Sequence, residues 1–297
     1  DVPSSIQTGL RVTPTEIENA RYLVKIDDNG DISRIFDKQN NRELISAPVQ
    51  LHLFKDMPKE WPAWEIYYED IIAEPQIVTG PAEIIISETG PVRAGLTVIR
   101  EFAGSKYKQF ISLSAGAAGN KIELETEIKW QSPASLLKQV FSLSVANKKA
   151  SYDLGLGVIE RGNNTDKKYE VPAQQWADIT NPQGDYGIAV LNDCKYGWDK
   201  PANKTLRMTL IHTPGSGGYP DQYTMDYGRH KIKSAIYGHQ HDYLAGEVNW
   251  EAARINQKLI AFQTNSHPGV YGNSVSLLEI NSSSVIVRAI KKAEHSN

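Results

Sequence analysis

The sequence has little of what disulfide-bonded, metal-binding or membrane proteins usually need. Its 297 residues include one cysteine, Cys194, which excludes a disulfide framework within the chain and a zinc site built on several thiolates. The net charge is only −3, and the strands carry charges of mixed sign, so neither nucleic acid nor a membrane is expected as a partner. No apolar run approaches the ~20 residues that cross a bilayer.

Helical patterns are also scarce, which argues against alternating helices and strands and therefore against a parallel sheet. Only two short helices are predicted. One covers Pro133 to Val140 with Ser132 as its N-cap, and the other covers Glu251 to Leu259. Neither is long enough to organise a fold.

Alternation with a period of two dominates instead and predicts strands. In the segment 120–130, the residues on the apolar face are Ile122, Leu124, Thr126, Ile128 and Trp130. Similar patterns recur at 22–26, 92–99, 206–210, 231–236, 275–280 and 285–290. The predicted fold class is therefore all-β, with large antiparallel sheets packed face to face and a few short helices.

Five strings, in one order along the chain, carry a resemblance to a known family. They are Glu18-Asn19 with Tyr22 to Glu43, Pro58 to Ile66 (with Trp61-Pro62-Ala63-Trp64), Leu136-Leu137-Lys138 through Trp176-Ala177-Asp178, Tyr186 to Gly197, and Pro220-Asp221 with Asp226, Gly228 and His230. Together they resemble the C-terminal part of glycoside hydrolase family 38 α-mannosidases, of the bacterial and cytosolic branch. The sequence departs from the family at Tyr227 and in its long glycine-rich lead-in.

The resemblance implies a supersandwich like that of galactose mutarotase. It also implies a parent enzyme that hydrolyses terminal α-mannosides with retention of configuration. In the family, an N-terminal domain holds a zinc ion, an aspartate nucleophile and an acid/base carboxyl group. The His-x-Asp and His-Asp strings of that domain are absent here. No catalytic residue, metal ligand or cofactor is therefore assigned to this chain, and zinc is expected only in the parent's catalytic domain.

The expected domain is one C-terminal β region, residues 1–297, with a small terminal β subdomain partly included or cut. The start without Met and the end at Asn297 indicate truncation on both sides. Such a chain is expected to be inactive alone. Its expected partners are its own N-terminal catalytic domain, an α-mannoside or oligosaccharide, and further copies in a homo-oligomer. A cytoplasmic location is expected.

Four residues are predicted to lie near the substrate: Asp226, Tyr227, His230 and His239. Gly228 allows a backbone turn beside Asp226, whose side chain can bond the loop or His230. His239 and His241 share a strand face, but no third ligand has a firm spacing, so no metal site is predicted.

Trp61 and Trp64 are a further candidate, because exposed indoles stack on sugar rings, although anchoring at the sandwich edge is the favoured interpretation. Two alternative functions stay open. One is an autonomous carbohydrate-binding module. The other is a mutarotase-like sugar epimerase, whose acid and base would have to be the nearby pair Asp226 and His230.

Overall fold

The computed structural model describes residues 8–282, 285 and 287–295. The chain divides into two units, Asp1–Lys258 and Leu259–Asn297. The helices and strands of the described residues all belong to the first unit. Neighbouring strands are antiparallel throughout, which confirms the all-β prediction.

In chain order the elements are β1 (Arg11–Thr13), β2 (Glu16–Glu18), β3 (Tyr22–Ile26), β4 (Ile32–Asp37), β5 (Arg42–Glu43), β6 (Gln50–Lys55), α1 (Tyr68–Ile72), β7 (Gln76–Ile77), β8 (Glu83–Thr89), β9 (Arg93–Phe102), β10 (Ser105–Ser114), β11 (Ile122–Trp130), β12 (Ser135–Ser142), β13 (Lys149–Asp153), β14 (Val158–Gly162), β15 (Val171–Pro172), β16 (Trp176–Thr180), β17 (Tyr186–Asn192), β18 (Gly197–Ala202), β19 (Thr205–Thr213), β20 (Gly228–Gln240) and α2 (Val248–Asn256). Short 3₁₀ helices cover Gly116–Gly119 and Pro220–Thr224.

Three sheets result. The first is a meander of β1 to β5. The second has nine strands in the order β14-β13-β16-β17-β20-β11-β10-β9-β8, and the third has six in the order β15-β18-β19-β12-β6-β7. One hydrophobic core takes side chains from all three, including Val24, Leu124 and Met208. The two larger sheets also share polar contacts, since the Trp130 indole N–H donates to Thr213 Oγ1 at 2.7 Å.

The predicted alternation in 120–130 is confirmed along β11. Ile122, Leu124 and Ile128 are buried, whereas Glu127 and Lys129 on the opposite face are exposed.

Helix α2 covers part of the second face of the nine-stranded sheet. Val248, Ala252 and Ile255 pack on a separate cluster that contains Trp176 and Leu191. A buried ion pair, Lys121 Nζ to Glu251 Oε2 at 3.1 Å, fixes the helix to the sheet. The helix predicted at Glu251 to Leu259 is therefore present, but it begins three residues earlier and ends at Asn256.

The prediction of a helix at Pro133 to Val140 is wrong, because the residues from Ser135 onward form strand β12. The strand is buried on both faces. Leu137 and Phe141 join the main core, while Leu136 packs with Phe54 and Ile71 beneath α1. A strand covered on both sides loses the alternation that identifies strands in a sequence, so its continuous apolar run resembles a helix segment.

In the second unit, the described residues form neither helix nor strand. The strand predicted at 275–280 is therefore wrong, and so is the one at 285–290 as far as it is described; Ser283, Ser284 and Ile286 lie outside the described residues. Isolated strands are not stable without a paired neighbour, and side chains such as Leu277 are exposed.

Neither helix in the described part of the chain has the length and apolar character needed to span a bilayer.

Candidate functional site

One end of the sandwich carries two long connections, residues 56–67 after β6 and residues 214–227 before β20. We call this the loop end. The register of strand pairing brings the two connections together, because Ser135 at the start of β12 lies opposite Lys55 of β6 on one side and Thr213 of β19 on the other. Trp130, the last residue of β11, pairs with Gly228. Segments distant in sequence therefore share one edge of the molecule.

An exposed pair of indoles, Trp61 and Trp64, dominates the first connection. Their rings stack at 5.7 Å between centroids with an interplanar angle of 15°. Trp61 has a left-handed backbone (φ 51°), and its carbonyl accepts hydrogen bonds from the N–H groups of Trp64 and Glu65 at 2.8 and 2.9 Å. Their exposed fractions are 55% and 81%. We call this pair the Trp platform, since aromatic surface of this size is normally buried unless it binds something.

The Trp platform is tied to the sheet from below. His212 Nε2–H donates to the Pro62 carbonyl at 3.0 Å, and His212 Nδ1 lies 2.6 Å from Asp56 Oδ2. Asp56 is fully buried, and within the described residues neither of its carboxylate oxygens has a well-aligned hydrogen-bond donor. The ring of His212 and the carboxylate of Asp56 are nevertheless in direct contact.

Contact with Asp56 also shifts the pKa of His212. Burial alone lowers the pKa of His212, but contact with Asp56 outweighs it, with smaller contributions from the Pro62 carbonyl and the charge of Asp226. The pKa of His212 is therefore raised above its ordinary value of 6.5. Contact with the carboxylate thus favours the protonated form of His212, which also bonds the segment that carries the Trp platform.

Backbone contacts hold the rest of this connection in place. Asp70 Oδ2 accepts from the N–H of Met57 at 3.1 Å, and Tyr67 Oη accepts from the N–H of Glu60 at 3.2 Å. Because both contacts close the loop on itself, the Trp platform has a defined position before any ligand arrives.

Three of the four predicted substrate-proximal residues lie at the loop end. Asp226 is exposed with φ 59°, Tyr227 is 36% exposed, and His230 Nε2–H donates to the backbone carbonyl of Asp226 at 2.6 Å. The bond does not involve the Asp226 carboxylate. Asp226 and His230 are thus neighbours, as predicted, but their contact orders the turn and does not assemble an acid–base pair.

The fourth residue, His239, lies elsewhere. It is nine residues further along β20, about 30 Å away at the rise of a strand. Its side chain is buried, with Nε2 at 2.7 Å from Asp178 Oδ2. His241 is exposed just beyond the strand. Among the described residues, no group of three or more His, Cys, Asp or Glu side chains is arranged to hold a metal ion.

The sequence did not indicate the His212–Asp56 pair. Asp56 directly follows β6 and His212 lies on β19, so the two are brought together only by the pairing of β6, β12 and β19. The tryptophans were visible as a candidate, but their stacking and exposure depend on the turn at Trp61.

Comparison with known proteins places these features in a family context. Residues 17–223 match the model described as "Glycosyl hydrolases family 38 C-terminal domain". Alpha-mannosidase G of Dictyostelium discoideum is 29% identical over 293 residues, which cover 94% of this chain and 26% of that protein. Alpha-mannosidase 2C1 of Mus musculus is 26% identical over 94% of this chain and 27% of its own length. The chain thus spans about a quarter of the length of these curated relatives.

Solved structures agree on the fold. A glycosyl hydrolase family 38 protein from Enterococcus faecalis matches with a TM-score of 0.73 and 19% identity, covering 90% of this chain and 35% of that one. An alpha-mannosidase from Enterococcus faecalis V583 matches with a TM-score of 0.72 and 18% identity, over 88% and 33%.

Proposed function

The chain belongs to the glycosyl hydrolase family 38 C-terminal domains, and from that premise we propose that it is the non-catalytic β region of an α-mannosidase. The proposed parent hydrolyses terminal α-mannosides with retention of configuration. Its catalytic domain, on the same polypeptide, is the proposed partner of this chain. Similarity to alpha-mannosidases along 94% of the chain supports this proposal.

The observation that carries the proposed role is the exposed Trp platform at the loop end, where Asp226, Tyr227 and His230 also lie. Indole faces stack on the C–H surface of sugar rings, and the Asp226 carboxylate and indole N–H groups can bond hydroxyls. We place the loop end against the sugar pocket, where it orients the α-mannoside. His239 is left out of this surface because its side chain is buried against Asp178.

The family implies a zinc ion, and the described residues do not fit one. Their histidines and carboxylates form no group suited to a metal, and His212 is engaged by Asp56 and Pro62. In this proposal zinc belongs to the catalytic domain, and no step of the reaction runs through this chain. We also propose that the parent enzyme is cytoplasmic and that it forms a homo-oligomer.

An assay of the purified 297-residue chain on an aryl α-mannoside with added zinc tests the non-catalytic role. We expect no turnover above the uncatalysed rate, and robust turnover would refute the proposal. The sample is checked for folding by circular dichroism, so that inactivity is not the result of denaturation.

A second candidate, an autonomous carbohydrate-binding module, is favoured by one observation. The Trp platform and its His212–Asp56 support lie entirely within this chain. Calorimetric titration with mannose and mannobiose separates the two roles, because millimolar or tighter binding by the chain alone favours the module. The epimerase alternative finds no support at Asp226 and His230, whose contact uses a backbone carbonyl.

A further inference from the structure

The outer face of the nine-stranded sheet carries a row of cations. Lys106 on β10 lies directly opposite Lys129 on β11, and Lys129 lies directly opposite Arg229 on β20. The row therefore spans three neighbouring strands, about 10 Å at the spacing of strands. Like charges directly opposite each other destabilise a sheet. A row of three is thus a feature that folding alone does not favour.

Carboxylates neutralise this row only at its margin. Lys106 Nζ lies 3.2 Å from Glu101 Oε1 on the adjacent strand β9. Lys231, two residues after Arg229 on β20, has its Nζ 3.5 Å from Glu127 Oε1. Among residues 8–258, neither Lys129 nor Arg229 forms an ion pair with a carboxylate, and both side chains are exposed. Two adjacent positive charges are therefore available to a ligand.

These side chains line an open groove of about 580 Å³. Its charged lining residues are Lys106, Lys108, Lys129, Arg229, Lys231 and Glu127. The lining thus has five cations and one carboxylate, and Glu101 and Glu125 pair with Lys106 and Lys231 from outside it, so a positive excess remains although the whole chain has a net charge of −3. The volume lies within the range of small-molecule sites, roughly 300–1,000 Å³.

We propose that this groove, centred on Lys129 and Arg229, binds sulfate or phosphate ester groups carried on a sugar chain. A guanidinium holds two oxygens of such a group in one plane, and a neighbouring ammonium adds a point charge. Lys129 and Arg229 adjoin Trp130 and Gly228, so the groove starts at the loop end. The proposal that a sugar carries the anionic group rests on the proposed function. The proposal that the groove binds an anion does not.

The test is a calorimetric titration of the 297-residue chain with a sulfated tetrasaccharide, with inorganic phosphate and sulfate as free-ion probes. We expect the tetrasaccharide to bind more tightly than either free ion and to bind more weakly as salt is raised. The double variant Lys129→Glu/Arg229→Glu is expected to lose about tenfold or more in affinity. The neutral variant Lys129→Gln/Arg229→Gln is expected to show a smaller loss, which protects the test against misfolding of the first variant.

The matched control is Lys149→Glu/Lys167→Glu, which changes the net charge equally at exposed lysines outside the groove. An equal loss in this control would reduce the effect to general charge and overturn the proposal. Tighter binding of an acidic peptide than of the sulfated sugar would also overturn it. If neutral mannobiose does not bind the chain but the groove variants still bind the sulfated sugar more weakly than wild type, the proposed function is weakened and the anion site is supported.

Discussion

Two histidine–aspartate pairs, His239–Asp178 on the nine-stranded sheet and His212–Asp56 on the six-stranded sheet near the loop end, differ in what they support. His239 and Asp178, 2.7 Å apart, lie within the sheet, where the Asp178 carboxylate also accepts a bond from Thr180 Oγ1. His212 and Asp56, 2.6 Å apart, have one side against an exposed loop, because His212 also bonds the Pro62 carbonyl. The same two residue types thus serve the core in one pair and an exposed aromatic surface in the other.

Burial of a histidine and its pairing with an aspartate therefore do not by themselves reveal its role. His239 was predicted from the sequence to lie near the substrate. The loop-end histidine that supports exposed side chains is instead His212. What separates them is the segment that the second ring nitrogen contacts, which is Gln240 at the end of β20 for His239 and Pro62 between the two exposed tryptophans for His212.

The largest expected effect is on stability at the core pair. Replacing Asp178 by Ala leaves His239 and Thr180 without their partner in a buried site, so we expect a loss of about 3 kcal/mol in the free energy of unfolding. Urea denaturation measures it. The exposed Asp166→Ala variant is the control and should change stability by less than about 0.5 kcal/mol. Equal stabilities for both variants would show that the core pair has no structural role.

A smaller loss, about 2 kcal/mol, is expected for Asp56→Asn, because the partly buried ring of His212 loses contact with a carboxylate while a polar side chain remains. This variant should also change the fluorescence of the exposed tryptophans, since Pro62 lies between them. Asp178→Asn serves as the matched comparison and should leave that fluorescence unchanged. A spectral change in Asp178→Asn but not in Asp56→Asn would reverse the two assignments.

The dependence of stability on pH distinguishes the pairs further. The pKa of His212 is raised in the folded state by contact with Asp56, against the opposing effect of burial. A raised folded pKa gives stabilisation that is complete below the unfolded pKa, about 6.5, and that is lost as the pH rises through the folded pKa. Wild type should therefore lose stability relative to His212→Gln above about pH 6.5. Parallel stability curves for the two proteins would exclude a charged His212.

The smallest effect on stability is expected for Trp64→Ala, within about 0.5 kcal/mol, because the indole is 81% exposed. The same substitution should weaken retention of the chain on immobilised mannan. Leu156→Ala is the control, since Leu156 is also fully exposed and apolar but lies on a distant turn. Equal retention of the two variants would remove the Trp platform from the binding surface.

Strands were predicted where apolar and polar residues alternate, whether one face is exposed, as along β11, or both are buried, as at Leu206 to Met208 of β19. Along β11 the alternation of Ile122, Leu124 and Ile128 with charged residues was sufficient. The prediction was wrong at β12, whose apolar residues are adjacent in sequence (Leu136 and Leu137, Val140 and Phe141), and in 275–280, where alternation is present but the described residues offer no partner strand. Alternation reports an amphipathic surface and cannot report whether a neighbour exists to bury it.

The candidate site was predicted only where its residues are close in sequence. Asp226, Tyr227 and His230 lie within five positions and were found together. The His212–Asp56 pair and the row Lys106, Lys129 and Arg229 depend on the register of strands that are far apart in sequence. Each strand alone carries mixed charges, so no basic stripe was visible before the pairing was known.

The most direct measurement follows the indole N–H signals of the six tryptophans by NMR while mannobiose is added to the chain. If the loop end meets the sugar, the signals of Trp61 and Trp64 shift in a saturable manner, while those of the buried Trp130, Trp176 and Trp198 remain in place. Unchanged signals from Trp61 and Trp64 at saturating sugar, or shifts confined to other tryptophans, would contradict the account.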